Sequence, residues 1–214
     1  MEGNINTKTF RRTRTGLKTR ELTLCGLMGG LCAVLMMFRF PLPFMPPFMS
    51  FDFAGLVEII GGFTMGPAAA VAIIAVKLLL QALTQGTSSA WTGEVQNFIL
   101  SCAYVLPAVL IYDRNKSKKS AVIGMAAGTV ICAVISVFTN LYLIIPFYAS
   151  FSGLTMDKIL AMCTAVNPLL SSKWSLALIG IIPFNLIKNG ILSLLTFLVY
   201  KKMSRQIKHF VQGR

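Results

Sequence analysis

Residues 121–148 read AVIGMAAGTVICAVISVFTNLYLIIPFY, a run without a single Asp, Glu, Lys or Arg. About 20 mainly apolar residues are enough for a helix to cross a bilayer, so this stretch is a membrane span. It is long enough to hold a break or a strong tilt around Pro146. Four basic residues stand just before it (Arg114, Lys116, Lys118 and Lys119), and a mixed loop over 149–172 with Asp157 and Lys158 follows. The rest of the chain has the same character. Of 214 residues 55% are apolar and 13% are charged, against about 25% charged in an ordinary soluble domain. The mean hydropathy is +0.72. A soluble fold of this size cannot hide so much hydrocarbon. That excludes a soluble enzyme, an extracellular module and a disordered chain.

Turns and charges cut the remainder into five more spans, near residues 21–38, 51–65, 68–84, 94–112 and 174–200. Between the first two lies Arg39-Phe-Pro-Leu-Pro-Phe-Met-Pro-Pro-Phe-Met-Ser50, where four prolines in twelve residues forbid a regular helix. Gly66-Pro67 makes a tight break, and Gly86-Thr-Ser-Ser-Ala-Trp91-Thr-Gly93 a loop. The apolar stretch after the basic leader carries no small-x-small cleavage site, so it is a retained helix and not a signal peptide. The predicted fold is an all-α integral membrane protein with six transmembrane helices. It divides into a basic leader (1–20), a six-helix membrane domain (21–200) and a basic tail (201–214).

The net charge of +13 would suggest nucleic acid in a soluble protein, but its placement does not. Lys8, Arg11, Arg12, Arg14, Lys18 and Arg20 lie in the leader, the four above in one loop, and Lys201, Lys202, Arg205, Lys208 and Arg214 in the tail. These hold fifteen of the twenty Lys and Arg residues. Basic clusters flanking apolar spans follow the positive-inside pattern. With six spans and both termini cytoplasmic, all fifteen fall inside, and the outer loops keep only Arg39, Lys158 and Lys173. An odd number of spans would strand a cluster on the wrong side.

The five cysteines form no CxxC pair and mostly lie within apolar stretches, as small packing residues do. His209 has no ligand partner in its surroundings, so no metal site is expected. The chain lacks GxxxxGK[ST], HExxH and GxSxG. It has no obvious inverted repeat of the kind that marks a self-sufficient carrier. A transport protein built this way would borrow its energy source.

Ionisable groups in a span cost about 2.5–3.5 kcal/mol each at the helix centre, so the few present are informative. They are Asp52, Glu58, Lys77, Glu94 and Lys188. Asp52 and Glu94 suit helix N-termini, and Lys77 can snorkel to the interface. Lys188 sits mid-span in Ile181-Ile-Pro-Phe-Asn185-Leu-Ile-Lys188-Asn189, with Asn185 on the same helix face and Pro183 nearby. Glu94, Asn97, Asn140, Lys188 and Asp52 all fall at one depth in the outer half of the membrane, which predicts a single outward-facing pocket. Interhelical amides also serve as packing glue, so the convergence is the signal and no single Asn is. Neutral amides and a lysine under an apolar, aromatic cover suit a flat heteroaromatic molecule with a polar tail. In the first span, Gly26 with Gly30 and Gly29 with Ala33 form two small-xxx-small pairs that allow close helix approach.

Phe40-Pro-Leu-Pro-Phe-Met-Pro-Pro-Phe48 with Asp52-Phe53 resembles the first extracellular loop of the riboflavin-specific substrate-binding (S) components of bacterial energy-coupling factor (ECF) transporters. Gly66-Pro67, Val76-Lys77, Gly93-Glu94 with Asn97-Phe98, Asn140 with Ile144-Ile-Pro146, and Ile182-Pro-Phe-Asn185-Leu-Ile-Lys188 are similar to that family in the same order. The resemblance implies a vitamin-binding subunit of the bacterial plasma membrane, without catalysis of its own. Such a subunit docks on a transmembrane coupling protein and two cytoplasmic ATPases, topples in the bilayer and releases its cargo inside. Carried over, Asn140, Asn185 and Lys188 would bond the isoalloxazine edge, and Glu94 and Asn97 would lie near the ribityl chain. Leu42, Phe44, Met49, Phe51 and Asp52 would belong to the closing loop. Gly26, Gly30 and Ala33 would meet the coupling protein.

The chain departs from the family's usual pattern after Asp52-Phe53, where Ala54-Gly55-Leu56-Val57-Glu58 follows. FMN or another heterocyclic vitamin therefore stays open as the ligand beside riboflavin. Two readings of other classes are a membrane-embedded lipid-modifying enzyme using Asp52, Glu94 or Lys188, and a packing scaffold with no ligand.

Overall fold

The computed structural model describes residues 18–43, 45–46, 49–86, 91–144, 146–147 and 156–212, with side chains up to residue 200. Helix α1 (Thr19–Met37) opens with Glu21, whose carboxylate accepts from the Lys18 N–H at 2.8 Å. After it the chain makes a two-residue antiparallel pairing, β1 (Phe40–Pro41) with β2 (Ser50–Phe51), Phe40 opposite Phe51. Three phenylalanines hold this hairpin together. The Phe51 ring stands 5.4 Å from Phe40 and 5.1 Å, edge-on, from Phe53.

Helix α2 (Ala54–Met65) begins where Asp52 Oδ1 accepts the Ala54 N–H at 3.0 Å. It ends at Gly66, whose φ of 97° only glycine adopts without strain. Pro67 then starts α3 (Pro67–Gln85) at the first helical position, where its missing N–H costs nothing. Helix α4 (Thr92–Asn115) and helix α5 (Lys118–Phe138) form the most extensive helix pair. They approach closely because Gly124 and Gly128 face the α4 backbone, where a Cβ on Gly128 would fall on the Tyr104 carbonyl oxygen. The end of α5 widens into a π-helical turn, Thr139–Ile144, shortly before Pro146. A second wide turn, Leu176–Ile181, leads into α7 (Ile182–Gln212) just before Pro183. Between them lies α6 (Met156–Val166).

Among the described residues, five helical segments are long and apolar enough to cross a membrane. Large apolar side chains such as Leu27, Leu31, Val34, Val130, Val134, Leu194 and Leu198 point outward. A protein in water does not leave such a surface open, whereas lipid covers it. The molecule is an all-α membrane protein.

Two expectations are corrected. The second apolar span starts at Ala54 and not at 51, because the hairpin and the Asp52 cap take up residues 50–53. At twelve residues and 1.5 Å per residue, α2 is about 18 Å long, against a hydrocarbon core of about 30 Å. It sits at the centre of the bundle with nine of its residues buried. The region 149–172 contains α6, an amphipathic helix that buries Ile159 and Cys163 and turns Asp157 and Lys158 outward. The last expected span, 174–200, matches an apolar segment over Lys173–Tyr200, and the helix continues beyond it to Gln212.

Candidate ligand-binding cavity

Because α2 is short, a space remains beyond its N-terminus within the bundle. It is a cavity of about 710 Å³ bordered by the hairpin and by residues of α2, α3, α4, α5, α6 and α7, within the range typical of small-molecule sites. Both π-helical turns reach it, through Asn140 and Ile144 on one and Ile181 on the other. Such turns in helices are frequent at functional sites, and here each precedes a proline that cannot complete an α-helical ladder.

Two ion pairs line the wall, one half-buried and one fully buried. Lys188 Nζ donates to Asp52 Oδ2 at 2.6 Å, tying the hairpin to the last helix. Lys77 Nζ donates to Glu58 Oε1 at 2.5 Å, with the two side chains only 2% and 1% exposed. Lys77 also donates to Asn97 Oδ1 and Ser101 Oγ, each at 3.1 Å. The expectation that Lys77 snorkels is thus overturned. A carboxylate and two further acceptors satisfy all three of its protons, and nothing remains to draw it to the interface.

Of the residues singled out in the sequence, Asn140, Asn185, Lys188, Glu94, Asn97, Met49 and Asp52 all border the cavity. Their roles differ. Asn185 Nδ2 donates to Ser136 Oγ at 3.0 Å and to the Ile181 carbonyl at 2.9 Å, so its nitrogen holds α7 to α5. Its Oδ1 receives only the weak Cys132 thiol donor, at 3.8 Å. Asn140 Nδ2 donates to the Ser136 carbonyl at 2.7 Å. Lys188 has two protons beyond the one it gives Asp52.

Leu42 and Phe51 do not border the cavity. Phe51 is 2% exposed and belongs to the central core, against which Leu42 also packs. Phe44 lies outside the described residues. On α1, Gly26 and Gly30 leave an open strip, with no atom within 4 Å of a Cβ added at Gly26. Ala33, expected on the same surface, is instead buried, as is Gly29, which packs on Val76. The small-xxx-small spacing therefore separates into one outward and one inward face.

Sequence reasoning missed three polar groups of the wall. Glu58 was noted without a partner, because that partner is nineteen residues away on another helix. Gln81 and Asn189 were given no role, although both border the cavity and are 7% and 4% exposed. Among the described residues Gln81 Oε1 and Asn189 Nδ2 have no oxygen or nitrogen partner, at a cost of about 1–3 kcal/mol each. For Gln81 the available signal was its place one turn after Lys77 on an otherwise apolar helix.

Residues 20–200 match the family model described as the ECF transporter, substrate-specific component. The chain is 26% identical over 198 residues to the riboflavin transporter RibU of Staphylococcus aureus (strain TCH60), covering 92% of this chain and 97% of that one. It is 28% identical over 193 residues to the riboflavin transporter FmnP of Bacillus subtilis (strain 168), covering 90% and 96%. A solved structure described as "Structure and mechanism of the S component of a bacterial ECF transporter" superposes with a TM-score of 0.69 at 26% identity. That match covers 88% of this chain and 98% of the other. A helical membrane fold enclosing a polar cavity, together with a family match over almost its whole length, shows that the chain belongs to the substrate-specific components of ECF transporters.

Proposed function

We propose that the chain is the riboflavin-binding S component of an ECF importer. In this reading it takes the vitamin from outside and delivers it inward by docking on a coupling protein and two ATPases. The carrying observation is the chemistry of the cavity wall. Lys188, Asp52, Asn140 and Asn185 gather on one side, where a ring edge of alternating carbonyls and ring nitrogens needs both donors and acceptors. Lys188 offers its remaining protons to a ring carbonyl, and Asn185 Oδ1 stands open to an N–H. Met49, Ile181 and Phe184 supply apolar surface for the ring faces. Glu94, Asn97 and Ser101, which also line the cavity, suit a hydroxylated chain. The names of the similar transporters support the same ligand.

The chain would cross the bacterial plasma membrane six times, the short α2 doing so together with the hairpin ahead of it, with both ends cytoplasmic. The basic leader (1–20) and tail (201–214) would then flank the membrane domain on the inner face. The open Gly26–Gly30 strip of α1 would meet the coupling protein.

Titration of the purified protein in detergent, read by quenching of flavin fluorescence, tests the ligand. Saturable quenching in the nanomolar range is expected, weakened about tenfold or more in Lys188→Ala, since a lost charged hydrogen bond is worth about 1.5–3 kcal/mol. Absence of quenching in folded, flavin-free protein would remove riboflavin in favour of another vitamin. Unchanged quenching by the variant would remove Lys188 from the site.

A further inference from the structure

The polar residues of the cavity wall fall into two sets. Most already have partners: Lys77 with Glu58, Asn97 and Ser101, Lys188 with Asp52, and Asn185 with Ser136 and Ile181. Gln81 and Asn189 are the exception. Each is more than nine-tenths buried and borders the cavity, yet among the described residues Gln81 Oε1 and Asn189 Nδ2 have no nitrogen or oxygen partner. The polar group beside Asn189 is the Cys132 thiol, at best a weak acceptor. Asn97, Asn140 and Asn185 each make a hydrogen bond to an oxygen or nitrogen group of the bundle, so packing alone does not account for these two. A buried amide left without partners is unfavourable, and one in a cavity wall gains most from what the cavity holds.

Their positions differ in a useful way. Asn189 lies one residue past Lys188, and its backbone carbonyl accepts from Tyr104 Oη at 3.3 Å, near the middle of α4. Gln81 is one turn beyond Lys77, which bonds Asn97 and Ser101. Since α3 and α4 are joined by a short connection, Gln81 stands toward the Glu94 end of α4. A primary amide presents a carbonyl and an N–H side by side. That pattern is complementary to a cyclic imide, where an N–H is flanked by carbonyls, and it also pairs with hydroxyls, which both donate and accept.

Resting on the riboflavin reading above, we propose that Asn189 and Gln81 are the residues that read the ligand at its two ends. Asn189 Nδ2 donates to a carbonyl of the imide edge of the ring, and Gln81 Oε1 accepts from a hydroxyl of the polyol chain. This assigns specificity to two polar atoms that are buried without an oxygen or nitrogen partner among the described residues. It also separates them from Asn185, whose amide nitrogen is already occupied.

The test titrates Asn189→Leu and Gln81→Leu, in the full chain, with riboflavin and with lumiflavin, which has the same ring and a methyl group in place of the polyol. Asn189→Leu should raise Kd for both ligands by about tenfold or more. Gln81→Leu should raise it by a similar factor for riboflavin and leave lumiflavin within about twofold. The thermal midpoint without ligand should stay level or rise in both variants, because an apolar side chain replaces an unpartnered amide. Should either leucine variant fail to fold, Asn189→Ala and Gln81→Ala decide instead. Riboflavin affinity unchanged by the substitutions would overturn the assignment while leaving the riboflavin reading intact. A Gln81 variant that weakens both ligands alike would overturn its placement at the polyol. No flavin binding by the unaltered chain would overturn the ligand and this assignment together.

Discussion

Lys77 and Glu58, almost wholly buried and in direct contact, show how an intramembrane charge is tolerated. Neither ion is stable there alone. Together, with Asn97 and Ser101 completing the lysine's bonds, they form a closed polar unit between α2, α3 and α4. Breaking such a pair strands the other charge, at a cost of about 3–5 kcal/mol, whereas replacing both ions by apolar groups is often nearly neutral. Lys77→Met alone and Glu58→Leu alone should therefore each destabilise the protein by about that amount, measured by equilibrium unfolding in mixed detergent micelles. The double variant should recover most of the loss. Additive losses in the double variant would show that the two residues act independently.

Among the elements, α4 and α5 depend on each other at two glycines. A methyl group at Gly128 meets the Tyr104 carbonyl, and one at Gly124 lies 2.6 Å from the Ala108 carbonyl. Backbone cannot swing aside as a side chain can, so the helices must separate. Gly128→Ala is expected to cost about 1–3 kcal/mol, the usual range for overpacking, while Gly190→Ala on α7, with nothing within 4 Å, should cost nothing. Thermal unfolding of the two variants side by side checks this. The outward strip of α1 makes a second prediction at this scale. Gly26→Leu adds bulk where the bundle has room for it, so flavin affinity in detergent should stay within about twofold. Uptake by cells should be lost, and uptake at the unaltered level would remove this face as the docking surface.

At the scale of the molecule, the short α2 creates the site. The surrounding helices are long enough to span a bilayer and the central one is not, so the space beyond it is enclosed by protein and can hold polar groups away from lipid. Irregular backbone at membrane depth is tolerated only where it is buried in protein or lines a cavity. The hairpin and both π-helical turns satisfy that condition. The proposed orientation places residues 113–119 and both termini on one face. Cysteines introduced at Lys116 and near either terminus should then label only from the cytoplasmic side, and one at Lys173 only from outside. Labelling of Lys116→Cys from outside would reverse the topology.

Membrane character, nearly every span boundary and the convergence of Asn140, Asn185, Lys188, Glu94, Asn97 and Asp52 were legible in the chain alone. The reason is that hydropathy and depth are local quantities. A helix must satisfy its own backbone in lipid, and residue number along a span fixes how deep a side chain lies. The amphipathic α6 was legible in principle, since Ile159 and Cys163 are one turn apart, but an expected loop hid it. What only the tertiary structure decided was pairing. Lys188 finds Asp52 across 136 residues and Lys77 finds Glu58 across nineteen, and no spacing rule encodes partners on different helices. Likewise, the facing of Gly29 and Ala33 inward and Gly26 outward depends on helix rotation against α3. The two amides left without partners are recognisable only once every neighbour is in place. Burial and satisfaction belong to the packed bundle, not to any one of its segments.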